Sequence, residues 1–227
     1  MTGTRIAGST AVVTGGHKGL GKAIVDELLG RGAAKVYATS RRPGIPGGDP
    51  RVISVATDVT SDDSVTALAE SASDATIVVN NAGLLGGQSL IDHEMDEIRS
   101  VMETNFFGPL RVTRAFTPIL ARGTDTTLVN VASVLSWLPS SGAYGCSKAA
   151  LWSATNSLRL ELRQVGINVI GVYLGYTDTG MVADLDVPKN SPADVARQIA
   201  DGIESGASEV IADDFTRQAR ASVFAQL

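Results

Sequence analysis

A chain of 227 residues has room for one large domain or two small ones, and 44% apolar against 19% charged residues excludes an intrinsically disordered chain. The formal charge of −5 argues against a protein that grips a nucleic-acid backbone, while leaving room for a local basic pocket that holds one small anion.

In chain order, STAVVT at 9–14 reads as a short buried strand that runs straight into GGHKGLG and then into the helical pattern KAIVDELLGRG, with Ala23, Ile24, Glu27 and Leu28 at helical spacing. KVYATS reads as a second strand and RVISVATDV as a third, joined by RRPGIPGGDP, which is too rich in Gly and Pro for a crossover helix. SDDSVTALAES is a helix that opens on capping residues, and TIVVNNAG is a fourth strand leaving through a glycine turn. Residues 94–121 form one long helical region or two segments. TTLVNVAS is a fifth strand, YGCSKAALWSATNSLRLELRQVG a long helix and INVIGVYLG a sixth strand. A polar loop, TDTGMVADLDVPKNSP, precedes the helix ADVARQIADGIESG, the edge strand SEVIAD and an amphipathic terminal segment, DFTRQARASVFAQL. Near-continuous apolar strands alternating with helices require burial on both faces. The expected fold is therefore α/β: a doubly wound parallel sheet with helices on both faces, in a single domain over 1–227.

Cys146 is the only cysteine, so neither an internal disulfide nor a cysteine-based metal site is expected. His17 and His93 stand far apart, and no metal centre is expected from them. No run approaches the roughly 18 apolar residues of a membrane span, and the first residues lack the apolar stretch of a secretion signal, so a cytoplasmic protein without membrane contact is the expectation.

Between the first strand and first helix lie Gly15, Gly16, Gly19 and Gly21, with His17, Lys18 and Leu20 among them. Small residues there let the backbone approach a pyrophosphate at a helix N-terminus, although a turn alone also requires glycine. The spacing lacks the lysine and hydroxyl of a phosphate-binding ATPase loop. Ser40, Arg41 and Arg42 occupy the end of the second strand, where an acidic residue would accept both ribose hydroxyls of a dinucleotide. An arginine there suits a 2′-phosphate, so NADP(H) is preferred over NAD(H); the competing reading is a solvated surface. Asp58 with Val59, and Asn80, Asn81, Ala82 and Gly83, end the third and fourth strands on the same rim, as adenosine contacts or as plain turn caps. Tyr144 and Lys148 stand four apart on one helical face. Cys146 between them faces elsewhere, in a packing role.

With TGGHKGLG at 14–21, DV at 58–59, NNAG at 80–83, Asn105, Ser133 and YGCSK at 144–148, nearly the whole chain resembles the short-chain dehydrogenase/reductase family. The resemblance implies a Rossmann-like domain, NAD(P)(H) and a dimer or tetramer. It carries Tyr144 over as the acid/base, Ser133 as the group holding the reacting oxygen, Lys148 as the ribose ligand that favours tyrosinate, and Asn105 as its support through water. A tyrosine titrating near pH ~10 needs positive charge beside it to transfer protons efficiently near neutrality. Leu174 takes the place of the family's usual proline, while Gly175 and Thr179 match; Gly175, Tyr176, Thr177 and Thr179 are expected beside the nicotinamide, with 180–193 as a substrate lid. The terminal segment departs from the family's glycine-rich close, which favours a homodimer over a homotetramer.

Leu84, Leu85 and Gly86, Val134 to Trp137, and Tyr176 to Leu185 are the expected pocket. They are mainly apolar and carry no arginine to demand a carboxylate. The expected activity is hydride transfer between NADP(H) and a small neutral carbonyl or secondary alcohol. The alternatives are an imine or carrier-bound β-ketoacyl reductase, and a non-catalytic NADP(H)-binding regulator or scaffold.

Overall fold

The structure, a computed structural model, describes residues 3–42, 48–139 and 142–225. Seven strands form one sheet in the order β3-β2-β1-β4-β5-β6-β7. They are β1 (Thr10–Thr14), β2 (Lys35–Ser40), β3 (Val52–Ala56), β4 (Ile77–Asn80), β5 (Thr126–Val131), β6 (Ile167–Tyr173) and β7 (Glu209–Ile211). Every pairing is parallel. The chain winds from β1 outward through β2 to β3, then returns to the other side of β1 with β4. The strand ends therefore part between β1 and β4, and a crevice opens there.

Alternation of side chains explains the two layers. Ala11, Val13, Ile77, Val79, Val129, Ile170 and Val172 point to one face and pack with Leu20, Ile24 and Leu28 of α1 (Gly19–Gly30) and with the apolar stripe of the later helix that runs Pro192–Ser205. Val12, Val78, Leu128, Ile167 and Val169 point to the other face. There they meet α2 (Asp62–Ser71), α4 (Gly108–Leu120) and α5 (Gly142–Arg163). α3 (Met95–Met102) leads into α4, α6 is the Pro192–Ser205 helix, and α7 (Asp214–Phe224) closes the chain. Among the described residues, no helix is long and apolar enough to cross a membrane.

Three boundaries differ from the sequence reading. β3 stops at Ala56, so Asp58 and Val59 belong to the loop beyond it. The 94–121 stretch is one continuous helical region, as read, but not a uniform one: α3 and α4 are joined by a π-helical turn, Glu103–Phe107, and the wider turn accommodates an extra residue without breaking the rod. Ser191 caps α6, its side chain accepting from the Asp194 N–H, so residues 192 and 193 of the expected 180–193 lid are already helix. Of the β2–β3 connection, residues 43–47 lie outside the described residues.

Candidate active site

The crevice is built first by backbone. The Thr14 hydroxyl at the end of β1 accepts from the N–H groups of Asn81 (2.9 Å) and Ala82 (3.0 Å), and the Asn81 Nδ2 donates to the Thr14 carbonyl at 2.8 Å. Thr14 thus staples β1 to the turn after β4. Gly15 (φ +68°) and Gly19 (φ +54°) hold left-handed conformations that side chains disfavour. At Gly21 an added Cβ would overlap the Gly15 carbonyl oxygen and lie 2.5 Å from Asn81 Nδ2. These contacts demand glycine for close packing of α1 on the turn. α1 starts with no side-chain cap at Lys18 and no acid in its first turn, which leaves its N–H groups and positive end free to meet an anion. His17 Nε2 lies 3.0 Å from the Ala38 carbonyl and ties the turn to β2; Lys18 is exposed, and the Leu20 side chain is in the core, so only its backbone faces the turn.

At the end of β2, Arg41 and Arg42 are exposed, and the buried hydroxyls of Thr39, Ser40 and Thr57 find no hydrogen-bond partner among the described residues. Asp58 uses one carboxylate oxygen to accept from the Thr60 N–H (2.9 Å) and hydroxyl (2.7 Å). Those bonds hold its pKa below the usual carboxylate range, with a smaller contribution from the nearby positive charges of Arg41 and Arg111. The turn-capping role of Asp58 is thus present, and it stands in the field of Arg41. The Val59 side chain is buried beneath α4, where an added Cβ on Gly108 would meet its Cγ2 at 2.9 Å. Gly83 is exposed, and Ala82 and Asn81 are half-buried.

Two polar staples fix the helix that carries Tyr144 and Lys148. Asn80 Nδ2 donates to Asn130 Oδ1 (2.9 Å), Asn130 Nδ2 donates to the Thr155 hydroxyl (2.9 Å), and Thr155 donates to the Leu151 carbonyl of α5 (2.7 Å). The second staple starts at Asn105, fully buried in the π turn. Its side chain accepts from the Leu84 N–H (2.8 Å) and donates to the Leu84 carbonyl (2.8 Å) and to Ser147 Oγ (3.0 Å), while Ser147 donates to the Tyr144 carbonyl (2.7 Å). The Asn105 side chain therefore holds the frame around Tyr144 and makes no direct bond to Lys148.

Ser133 follows β5, buried, with its hydroxyl accepting from the Leu135 N–H at 3.2 Å and lying 3.5 Å from the Leu174 carbonyl. Lys148 Nζ donates to the Val131 carbonyl at 2.7 Å and sits 5.6 Å from the centroid of the Tyr144 ring. Burial pushes the Tyr144 phenol up to about 12, against a hydrogen bond with Ser133 that pulls it down. Burial also pushes the Lys148 ammonium down to about 8. Spacing alone anticipates proximity, but burial sets the titration of both groups.

After β6, Leu174 accepts from the Val134 N–H (2.9 Å) and so aligns the two loops that flank Ser133. Tyr176 is exposed, Thr177 is buried, and Thr179 precedes a short 3₁₀ turn, Gly180–Val182. An added Cβ on Gly19 would lie 3.2 Å from Thr179, which brings this loop against the glycine turn. The loop closes on itself: Asn190 donates from its N–H to the Tyr176 carbonyl (2.8 Å), and the Asp178 N–H donates to the Asn190 carbonyl (3.0 Å). Asp213 accepts from the Gly175 N–H at 2.8 Å and from Asn190 Nδ2 at 2.9 Å. Neither Thr14 nor Asp213 was assigned a role from sequence, although the DD pair before a helical pattern is a capping signal that could have marked Asp213.

A cavity of about 530 Å³ is lined by Gln88, Leu90, Leu135, Trp137, Cys146 and Ala149. It shares only the Leu135–Trp137 wall with the expected pocket. Cys146 is exposed on it and does not pack in the interior, because helical spacing turns positions 142, 145, 146 and 149 away from Tyr144 and Lys148.

The short chain dehydrogenase family model matches residues 9–190. The chain is 34% identical over 202 residues to a 1-deoxy-11-beta-hydroxypentalenate dehydrogenase of Streptomyces exfoliatus, covering 82% of this chain and 74% of that protein. It is 28% identical over 228 residues to the ketoacyl reductase HetN of Nostoc sp., covering 92% and 79%. A crystal structure of a short chain dehydrogenase from Burkholderia cenocepacia in complex with NADP superimposes with a TM-score of 0.91 at 35% identity, covering 98% of this chain and 96% of that one. A doubly wound sheet with its glycine turn at the crevice, and Ser133, Tyr144 and Lys148 around the ends of β5 and β6, agrees with these matches, and the chain belongs to the short-chain dehydrogenase/reductase family.

Proposed function

We propose that the protein is an NADPH-dependent reductase of small neutral ketones or aldehydes, reversible to secondary alcohols, with Tyr144 as the proton donor. The observation that carries this reading is the meeting of Tyr144, Ser133 and Lys148 at the rim that also bears the glycine turn. The fit to a dinucleotide rests on the close-packed glycines at 15, 19 and 21, the uncapped start of α1, and the hydroxyls near Arg41 that find no partner among the described residues.

Gly15 to Gly21 hold the pyrophosphate through backbone N–H groups, with His17 and Lys18 at the flank. Ser40, Arg41 and Arg42 take the 2′-phosphate, Asp58 with the Val59 backbone takes the adenine, and Asn81, Ala82 and Gly83 leave space for adenosine. Lys148 binds the nicotinamide ribose, and Gly175, Tyr176, Thr177 and Thr179 flank the ring. The bound cofactor supplies a hydride to the carbonyl carbon. Ser133 and Tyr144 then donate hydrogen bonds to the oxygen as negative charge grows on it. A phenol held near 12 stays protonated at neutral pH, as a donor must be in the reducing direction. Lys148, held near 8, is mostly charged at neutral pH, which suits it to hold a ribose hydroxyl and to favour negative charge on the donor's oxygen. Leu135 and Trp137 make an apolar wall suited to an uncharged substrate. Residues 1–227 act as one catalytic domain in which the loop from 180 to the Ser191 cap of α6 carries the lid.

A second reading, reduction of a carrier-bound β-ketoacyl group, is favoured by the likeness to a ketoacyl reductase. The test follows NADPH absorbance with wild type and Tyr144→Phe across small neutral ketones, aldehydes and β-ketoacyl thioesters. We expect turnover with the neutral carbonyls and a fall of about 10²–10⁴-fold in the variant, at unchanged NADPH affinity. NADPH binding without turnover on any substrate would establish the scaffold alternative instead.

A further inference from the structure

We propose that Asp213 is a positioning residue for this site, its carboxylate fastening both ends of the 176–190 loop to the start of α7. Both ends pass beneath it. The Gly175 N–H donates to Oδ2 at 2.8 Å from just before the loop, and Asn190 Nδ2 donates to the same oxygen at 2.9 Å from its far end. Oδ1 accepts from the Thr216 N–H at 2.8 Å and caps α7. A helix cap needs one oxygen only. The other oxygen is fully committed to the loop, and its donors lie 38 and 23 residues away in the chain.

The loop needs such a fastening because little else holds it. A single parallel bridge, Thr177 to Asn190, closes its neck together with the Tyr176–Asn190 and Asp178–Asn190 backbone bonds. Beyond the neck it has one 3₁₀ turn, with Met181 and Val187 exposed. Asp213 is half-buried; burial pushes its pKa up, but the N–H groups of Gly175 and Thr216 and the amide of Asn190 outweigh it and hold the pKa below the ordinary carboxylate range. The group stays ionised and able to accept all three bonds at neutral pH. Fixing the neck leaves the tip free to move while Gly175 to Thr177 keep their place beside the nicotinamide side of the crevice. That last consequence rests on the cofactor reading above; the fastening itself does not.

The variant Asp213→Ser separates the two roles, since a serine hydroxyl still caps Thr216 but cannot reach as a charged acceptor to Gly175 and Asn190. Amide hydrogen exchange is read residue by residue on the ligand-free protein, then NADPH affinity and steady-state kinetics are measured. We expect the amides of Gly175, Asp178 and Asn190 to exchange about tenfold faster or more, with α7 unchanged. The KM for NADPH should rise about tenfold while kcat stays within about twofold. Asn190→Ala should reproduce a smaller acceleration at the neck, and it keeps the test in force if Asp213→Ser folds poorly. Unchanged exchange at the neck in either variant overturns the proposal, as does faster neck exchange with unaltered NADPH affinity in a protein that binds NADPH. A protein that binds no NADPH at all would refute the cofactor reading and leave the exchange result standing by itself.

Discussion

Replacing Lys148 by Met should stabilise the ligand-free protein while abolishing its chemistry. The ammonium is buried, and burial lowers its pKa from 10.5 to about 8. At about 1.4 kcal/mol for each tenfold in affinity for the proton, keeping that charge inside costs about 3 kcal/mol at pH 7. The bond from Nζ to the Val131 carbonyl returns about 1 kcal/mol of this, independent of pH, so the variant should be more stable by about 2 kcal/mol at pH 7. The sign follows from proton counting. The folded state binds fewer protons than the unfolded one between about 8 and 10.5, so the penalty is absent above 10.5, grows as pH falls, and is complete below about 8. Between pH 7 and about pH 9.5 the wild type should therefore regain about 2 kcal/mol relative to Lys148→Met. Tyr144, held near 12, is common to both proteins and cancels. Urea unfolding followed by tryptophan fluorescence at the two pH values measures this. A variant less stable than wild type by an amount that does not change with pH would refute the reasoning.

Gly21→Ala should cost at least about 2 kcal/mol, because the new methyl overlaps the Gly15 carbonyl, and melting with and without NADPH should show that ligand stabilisation is lost as well. Arg41→Ala should raise the KM for NADPH about 10- to 100-fold and leave that for NADH nearly unchanged, the loss of one or two charge-assisted bonds to a 2′-phosphate; equal losses with both cofactors would refute that contact. Asn130→Ala should lower stability by about 2–3 kcal/mol in denaturant titrations, since it strips partners from both Asn80 and Thr155 in the buried chain that holds α5.

The alternation of strands and helices could be read from the chain because the central strands β1, β4, β5 and β6 are buried on both faces, a pattern that only a sheet covered twice can satisfy. The glycine turn could be read as well, since Gly15, Gly19 and Gly21 answer a local backbone requirement. Of Asp213 only the capping role could be read, because its partners Gly175 and Asn190 meet it only after β7 and α6 are in place. The burial that shifts Tyr144 and Lys148 could not be read for a related reason. Four-residue spacing reports that two side chains share a face, but how deeply that face is buried depends on the loops after β5 and β6, which no local pattern describes.

The π turn at Glu103–Phe107 makes this part of the chain a counter of residues as much as a carrier of chemistry. Removing one residue from it would close the wide turn into an ordinary helix with α3 and α4 still in line, because the extra residue is what the wider turn absorbs. Asn105 would then leave the position from which it reaches both Leu84 and Ser147. Substitutions along this stretch should be tolerated in proportion to their burial, whereas a change of length by one, even of an exposed residue, would loosen the seat of α5.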